Sequence, residues 1–174
     1  EAGKFTIEQS DEDCHTAIEN YLVKKYGVLG KKIHTGRSRN DQVLVATRLY
    51  TRKKLKQVSR ELVALQKVFL KMAKKYEFLP MPGYTHTRRA MPSSVGHWAA
   101  AYLEELINDH MLLESAYRLN DQNPLGAAAG FGVSLKLDRK LTTRLLGFER
   151  VQVNSLYAVN SRGSTESYIL SVMT

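Results

Sequence analysis

The sequence predicts a mainly α protein, built as an elongated bundle of long helices. No glycine or proline interrupts the 43 residues between Gly36 and Pro80, which as one helix would span about 60 Å. A second stretch with a helical apolar stripe runs from Ser93 to Asn120, and alternating strand patterns are scarce. Two helices of this length cannot bury their stripes within a 174-residue monomer, so we expect missing segments or other subunits to complete the bundle.

The first long helix is amphipathic and basic. Between Arg52 and Lys75 it carries nine lysines or arginines and one acid, Glu61, in a chain of net charge +9. Such charge suits a phosphate backbone, but a regular apolar stripe without an aromatic stacking cluster favours a packing helix with a solvated face. We therefore expect no nucleic-acid partner. The apolar positions recur every three or four residues, at Leu55, Val58, Leu62, Leu65, Phe69, Met72 and Tyr76.

Capping residues and glycines predict the shorter helices. A helix is expected over Asp13–Lys25, with an acidic N-cap and a stop at Gly27. Another is expected over Asp138–Leu146, and a last one from Gly163 onward through Thr174. The glycines around residues 131–137 favour a loop over a short strand there.

Composition excludes several classes of protein. The single cysteine, Cys14, excludes an internal disulfide framework and a zinc site of several cysteines. No apolar run approaches the roughly 20 residues that a membrane-spanning helix needs, so we expect no membrane insertion. The spacing of His, Cys and Asp residues indicates no metal site.

A dense polar loop, Lys32–Gln42, comes directly before the first long helix. Arginines bind carboxylates through planar paired donors, and a helix N-terminus adds free amides and positive partial charge. The loop therefore predicts a site for a carboxylate-bearing ligand. The alternative is an ordinary helix start, with Ser38 or Asn40 as N-cap and Arg37 as a surface charge.

Two further loops carry candidate chemistry. Met81–Pro92 contains two prolines and a glycine, which fix a rigid connector that presents Thr85 and His86. A histidine there can exchange protons near neutral pH, although a lone histidine is more often structural. The small residues of Asn123–Gly132 permit close backbone approach, and a packing turn and a ligand loop are equally compatible with them.

Three segments carry family signatures. Glu12–Glu19 has the pattern Glu-Asp-x-His-x-Ala-Ile-Glu, His34–Gln42 reads His-Thr-Gly-Arg-Ser-Arg-Asn-Asp-Gln, and Pro82–Pro92 has Pro-Gly-Tyr-Thr-His-x-x-x-Ala-x-Pro. In this order they resemble the argininosuccinate lyase family, within the fumarase/aspartase superfamily. Further segments fit in order, at Asn123–Gly130, Leu146–Phe148 and Asn154–Leu156.

The resemblance implies a long-helix fold of that superfamily and a cytoplasmic homotetramer in the complete protein. It also implies the reversible anti elimination of argininosuccinate to arginine and fumarate, as in arginine biosynthesis, without metal or organic cofactor. Residues 1–36 would end the N-terminal lyase domain, and residues 37–174 would form part of the central helical-bundle domain. We accordingly expect a chain truncated at both ends and inactive in isolation.

The resemblance also assigns roles to residues. His86 matches the family's catalytic histidine, and Arg39, Asn40 and Thr85 match substrate-binding positions. Two other interpretations stay open, namely a non-enzymatic relative resembling a crystallin and a basic helical nucleic-acid binder. The residues expected to support the site are His15, Ser38, Asp41 and Gln42.

Overall fold

The computed structural model describes residues 7–173, with side chains through residue 172, and it is mainly α as predicted. The chain divides into two compact units. Unit 1 comprises the described part of Glu1–Thr47 together with Gln122–Arg162, and unit 2 comprises Arg48–Asp121 with the described part of Gly163–Thr174. This division differs from the predicted domain boundary after residue 36, which stays a prediction.

The elements follow one another with short connections, and one 3₁₀ turn covers Lys32–His34. The two small sheets have two strands each, with β1 antiparallel to β2 and β3 parallel to β4. The elements are α1 (Cys14–Tyr26), α2 (Val28–Lys31), α3 (Arg39–Lys75), β1 (Pro80–Thr85), β2 (Arg88–Ser94), α4 (Val95–Asn120), β3 (Gln122–Asn123), α5 (Arg139–Leu145), β4 (Arg150–Val151), α6 (Ser155–Asn160) and α7 (Ser164–Met173).

The predicted helices are confirmed. Helix α3 has 37 residues and is therefore about 55 Å long, and α4 has 26. Helix α1 begins at the predicted acidic cap and ends at Gly27, which has a φ of 60°. Helix α5 has Asp138 as its N-cap, and α7 follows Gly163, while Thr174 lies outside the described residues. Within the described range, none of these helices combines the length and apolarity needed to cross a membrane.

The connector between the two long helices is a β-hairpin, which corrects the prediction of a plain loop. Proline keeps its own backbone extended but donates no hydrogen bond, so it suits a two-stranded ribbon in which both strands are edges. Pro82 stands opposite Pro92 in the register, and the pairing shifts at Gly83. A Cβ at Gly83 would lie 2.7 Å from the carbonyl oxygen of Met91, so this irregular position requires glycine.

In unit 2, α3 and α4 meet through individual side chains, and α4 also packs closely on α7. Leu55 is buried, as are Leu113 and Ala116 on α4. Phe69 stacks on Tyr102, with their ring centroids 5.7 Å apart. At the end of α4, Arg52 pairs with Asp121 at 2.8 Å, and the amide of Asn120 donates to the carbonyl of Arg48 at 3.0 Å. The predicted stripe is therefore only partly covered within this unit, since Leu55 is buried and Leu65 is exposed.

Unit 1 is organised around the buried carboxylate of Asp41. Its Oδ1 accepts the N–H of Ser38 at 2.9 Å, and the Ser38 hydroxyl accepts the N–H of Asn40 at 3.3 Å, so Ser38 caps the start of α3. Its Oδ2 accepts the N–H groups of Gly126 and Ala128, both at 2.9 Å. The small-residue loop thereby has a packing role, because its backbone approaches closely enough to bind the helix start.

Two further side chains, one buried and one half-buried, complete this arrangement. Asn123 is fully buried, and its Nδ2 donates to the hydroxyl of Thr143 at 2.9 Å while its Oδ1 accepts the N–H of Leu125 at 3.0 Å. Arg139 donates to the carbonyls of Leu125 and Gln152, at 3.0 and 2.8 Å. Burial lowers the pKa of Arg139 from its ordinary value, and the nearby Asp41 carboxylate opposes that change.

Asp13 links α1 to the first residue of α3. Its carboxylate accepts the N–H of Thr16 at 2.9 Å and the Nε–H of Arg39 at 2.6 Å. The backbone hydrogen bond from Thr16, followed by the interaction with Arg39, lowers the pKa of Asp13 to about 2 from an ordinary value of 3.8. The ionised form is therefore the one that stabilises this end of α1.

Replacing Asp41 by asparagine is expected to destabilise the protein. An amide has one oxygen, so its NH₂ group would face a backbone N–H donor inside unit 1. We expect a loss of about 2–4 kcal/mol in the free energy of unfolding, measured by urea denaturation of the full-length protein. The matched control is Asp109→Asn, an exposed residue of α4. Equal stability of the two variants would contradict this account of Asp41.

The Asp13 cap is expected to make the free energy of unfolding depend on pH in the acid range. Because its pKa is lower in the folded chain, its contribution to stability is present above pH 3.8 and is lost as pH falls to about 2. In Asp13→Asn that part of the pH dependence disappears. The check is the free energy of unfolding of both proteins across this range, with Asp109→Asn as control, and parallel curves for wild type and Asp13→Asn would refute it.

Candidate functional site

The predicted site residues lie in two groups, one in each compact unit. Unit 1 carries the group around the start of α3, including the substrate-binding predictions Arg39 and Asn40. Unit 2 carries Thr85 and His86 on the β1–β2 hairpin. The structure brings together the members of each group, and their functional roles stay predictions.

Asn40 is held by hydrogen bonds at the helix start. It is the second residue of α3, and both its backbone N–H and its Nδ2 point at the hydroxyl of Ser38, at 3.3 Å each. Its Oδ1 accepts a hydrogen bond from Nη2 of Arg162 at 3.0 Å. The side chain is half-buried and held at both ends, which leaves one amide N–H for a ligand.

Arg39 is occupied by acids of the α1 N-terminus. Its Nε donates to Asp13 at 2.6 Å, and its Nη2 donates to Glu12 at 3.1 Å and to Thr16 at 2.9 Å. The hydrogen bond to Asp13 and its negative charge raise the pKa of Arg39. Nη1 has no partner among the described residues, so it is the group through which Arg39 can contact a carboxylate.

The four residues expected to support the site lie at the start of α3 and in α1. The Nε2 of Gln42 lies 3.3 Å from Nδ1 of His34, and its Oε1 is buried without a hydrogen-bond partner in the described part of the chain. Ser38 and Asp41 build the helix start, as described above. His15 is half-buried in the first turn of α1. Ser38, Asp41 and Gln42 therefore lie where they can order the loop before α3.

The hairpin presents Thr85 and His86 at its exposed tip. Thr85 is the last residue of β1 and stands opposite Arg88, the first residue of β2. Between them, His86 and Thr87 form a two-residue turn with φ values of 50° and 65°. Two positive φ values match the twist of a two-residue hairpin, but asparagine and glycine are the residues usually found there.

The turn at His86 is therefore strained. A β-branched residue such as Thr87 rarely adopts positive φ, and each strained residue costs about 1–3 kcal/mol. The Thr87 hydroxyl offsets part of this cost by donating to the carbonyl of His86 at 2.6 Å. Positive φ also occurs at Ala128 in the packing loop of unit 1, so a functional role for His86 stays a prediction.

An open cleft of about 600 Å³ runs along the hairpin to the start of α4. It includes Thr85 and Ser93, together with His97 in the first turn of that helix. Hydroxyl and imidazole groups beside a helix N-terminus suit a small anion. Across residues 7–173, no group of three His, Cys, Asp or Glu side chains is placed to hold a metal ion.

Sequence reasoning missed the contact between Arg162 and Asn40. The two residues are 122 positions apart, and no local pattern links them. Arg162 lies just after α6, in the segment Ser161–Gly163. Only the fold of unit 1 places its guanidinium beside the start of α3.

Comparison with curated proteins supports the motif-based resemblance. An argininosuccinate lyase of Thermotoga neapolitana is 50% identical over 174 residues, which is 100% of this chain and 44% of that protein. An argininosuccinate lyase of Phocaeicola vulgatus is 50% identical over 166 residues, covering 95% of this chain and 37% of that protein. The chain thus spans less than half the length of these relatives.

A solved structure has the same fold. An EDDS lyase variant with bound fumarate matches with a TM-score of 0.84 and 29% identity, over 90% of this chain and 31% of that one. This likeness confirms the predicted superfamily fold. Finally, the family model described as Lyase matches residues 1–172. Because that match covers nearly the whole sequence, the chain belongs to the Lyase family.

Proposed function

We propose that this chain is part of an argininosuccinate lyase, which splits argininosuccinate reversibly into L-arginine and fumarate. The observation that carries the proposal is His86, held directly after Thr85 in a strained turn of the hairpin. The same chain is 50% identical over its whole length to a relative named argininosuccinate lyase. The signature segment His34–Gln42, at the start of α3, carries amide and guanidinium donors suited to carboxylates.

The proposed reaction is an anti elimination. A base removes a proton from the carbon beside a carboxylate, and negative charge builds on that carboxylate. The carbon–nitrogen bond then breaks, a carbon–carbon double bond forms, and an acid protonates the departing guanidine nitrogen. The protein must therefore hold carboxylates and stabilise extra negative charge, which placed N–H and cationic donors do well.

The residues take the following proposed roles. Asn40 and Thr85 bind carboxylates of the substrate through N–H and O–H donors, and Arg39 adds its unoccupied Nη1. His86 transfers a proton, on the guanidine side or through a water, because imidazole exchanges protons near neutral pH. This proposal requires no metal and no organic cofactor.

The complete enzyme is proposed to be a cytoplasmic homotetramer. Exposed apolar side chains on the unit 2 parts of α3 and α4 support assembly through these helices. Tyr50 is 62% exposed, and so is Met111, while Val68 is 60% exposed. Apolar surface of this extent commonly marks a protein–protein interface.

The test is fumarate release by the full-length protein. We expect release from argininosuccinate, followed by the absorbance of fumarate, and none from adenylosuccinate, malate or aspartate. Release from one of those three compounds would retain the elimination chemistry but overturn the assigned substrate. No release from any of them would favour the non-enzymatic, crystallin-like relative.

His86→Asn in the full-length protein separates chemistry from folding. Asparagine readily adopts positive φ, so the turn is retained while the imidazole is lost. We expect kcat to fall by about 10²-fold or more.

The matched control is Thr87→Asn, which keeps the imidazole and relieves a strained residue. It should retain kcat within about threefold of wild type, well inside the loss expected of the histidine variant. Unchanged kinetics in His86→Asn would reduce His86 to a structural residue of the turn.

A further inference from the structure

Arg162 contacts the predicted substrate-binding amide in unit 1. Its Nη2 lies 3.0 Å from Oδ1 of Asn40, across 122 residues of sequence. Arg162 is exposed and has no acidic partner among the described residues, so an ion pair does not account for its position. The contact that the structure does give it is the one to Asn40.

The chemistry of this contact determines which side of the Asn40 carboxamide carries the oxygen and which side carries the nitrogen. A guanidinium only donates hydrogen bonds, so the amide atom beside it must be the carbonyl oxygen. The amide nitrogen then points the other way, where one N–H reaches the hydroxyl of Ser38 at 3.3 Å. The second N–H has no acceptor in the described part of the chain. Without Arg162, the oxygen and the nitrogen could exchange places.

The same contact places positive charge beside the amide. The remaining guanidinium N–H groups of Arg162 have no acceptor among the described residues. A carboxylate bound to the free N–H of Asn40 would therefore lie near a cation and near the N-terminus of α3. Both features stabilise negative charge, and the effect grows as charge builds up on that carboxylate.

We propose that Arg162 is a positioning residue, which orients the Asn40 carboxamide toward a substrate carboxylate and keeps a positive charge beside it. The inference rests on the proposed function and extends it to a residue outside the predicted site. Asn40 holds the carboxylate beside this charge, so both effects of Arg162 on the reaction depend on the presence of that amide.

A double-mutant cycle in the full-length protein tests this dependence. The variants are Arg162→Gln, Asn40→Ala and their combination, each assayed for kcat and KM with argininosuccinate. Loss of a hydrogen bond to a charged group should reduce kcat/KM in Arg162→Gln by about 10-fold to 100-fold. The double variant should match Asn40→Ala within about twofold, because contacting residues that act as a unit are not additive.

Two further variants separate positioning from folding. Arg162→Lys keeps the charge and N–H donors, and it should retain kcat/KM within about fivefold of wild type. Arg144→Gln removes an exposed arginine of α5 and should leave the kinetics unchanged. A merely structural role for Arg162 would instead give losses that add to those of Asn40→Ala.

Each other outcome has a definite meaning. Additive losses, or unchanged kinetics in Arg162→Gln, overturn the inference while the activity of the unmodified protein upholds the proposed function. An Asn40→Ala variant with wild-type kinetics also overturns it, because the amide would then not serve the substrate. No fumarate release by the unmodified protein overturns the proposed function, and the inference with it.

Discussion

The buried carboxylate of Asp41 is the interaction on which the arrangement of unit 1 depends. Three backbone N–H groups, from Ser38, Gly126 and Ala128, converge on its two oxygens at 2.9 Å each. Removing a charge from water is unfavourable unless such donors replace the solvent. Because they do, one side chain begins the long helix α3 and holds the small-residue loop against it. The neighbouring Asn40 therefore stands on a rigid backbone.

A different constraint shapes the hairpin of unit 2. Its prolines favour extended backbone, and its two-residue turn demands positive φ at His86 and Thr87. Neither residue type prefers that conformation, so the turn carries strain that asparagine or glycine would avoid. Within the hairpin, positive φ occurs at the residue with candidate proton-transfer chemistry and at its neighbour. A rigid turn of this kind presents an imidazole in one direction with little loss of entropy on ligand binding.

The charges of the basic chain have several distinct uses. Arg39 and Arg52 pair with acids, while the half-buried Arg139 donates to backbone carbonyls. Arg162 contacts a polar amide instead. These arginines are thus individually placed donors and not interchangeable surface charges. Charge counting alone does not make this distinction, because it ignores which donors are already occupied.

The sequence by itself determined five of the seven α-helices in the described part of the chain, all except the short α2 and α6, and the candidate chemistry. Periodicity, caps and glycines are local signals, and they located α1, α3, α4, α5 and α7 as well as the segments that contain Asn40 and His86. The sequence did not predict the hairpin at residues 80–94, because its prolines argue against a strand assignment. Tertiary structure alone decided the partners: Arg39 meets Asp13, Asp41 meets the loop at Gly126, and Arg162 meets Asn40. Such contacts join residues far apart in the chain, and only the packing of the folded backbone brings them within hydrogen-bond distance.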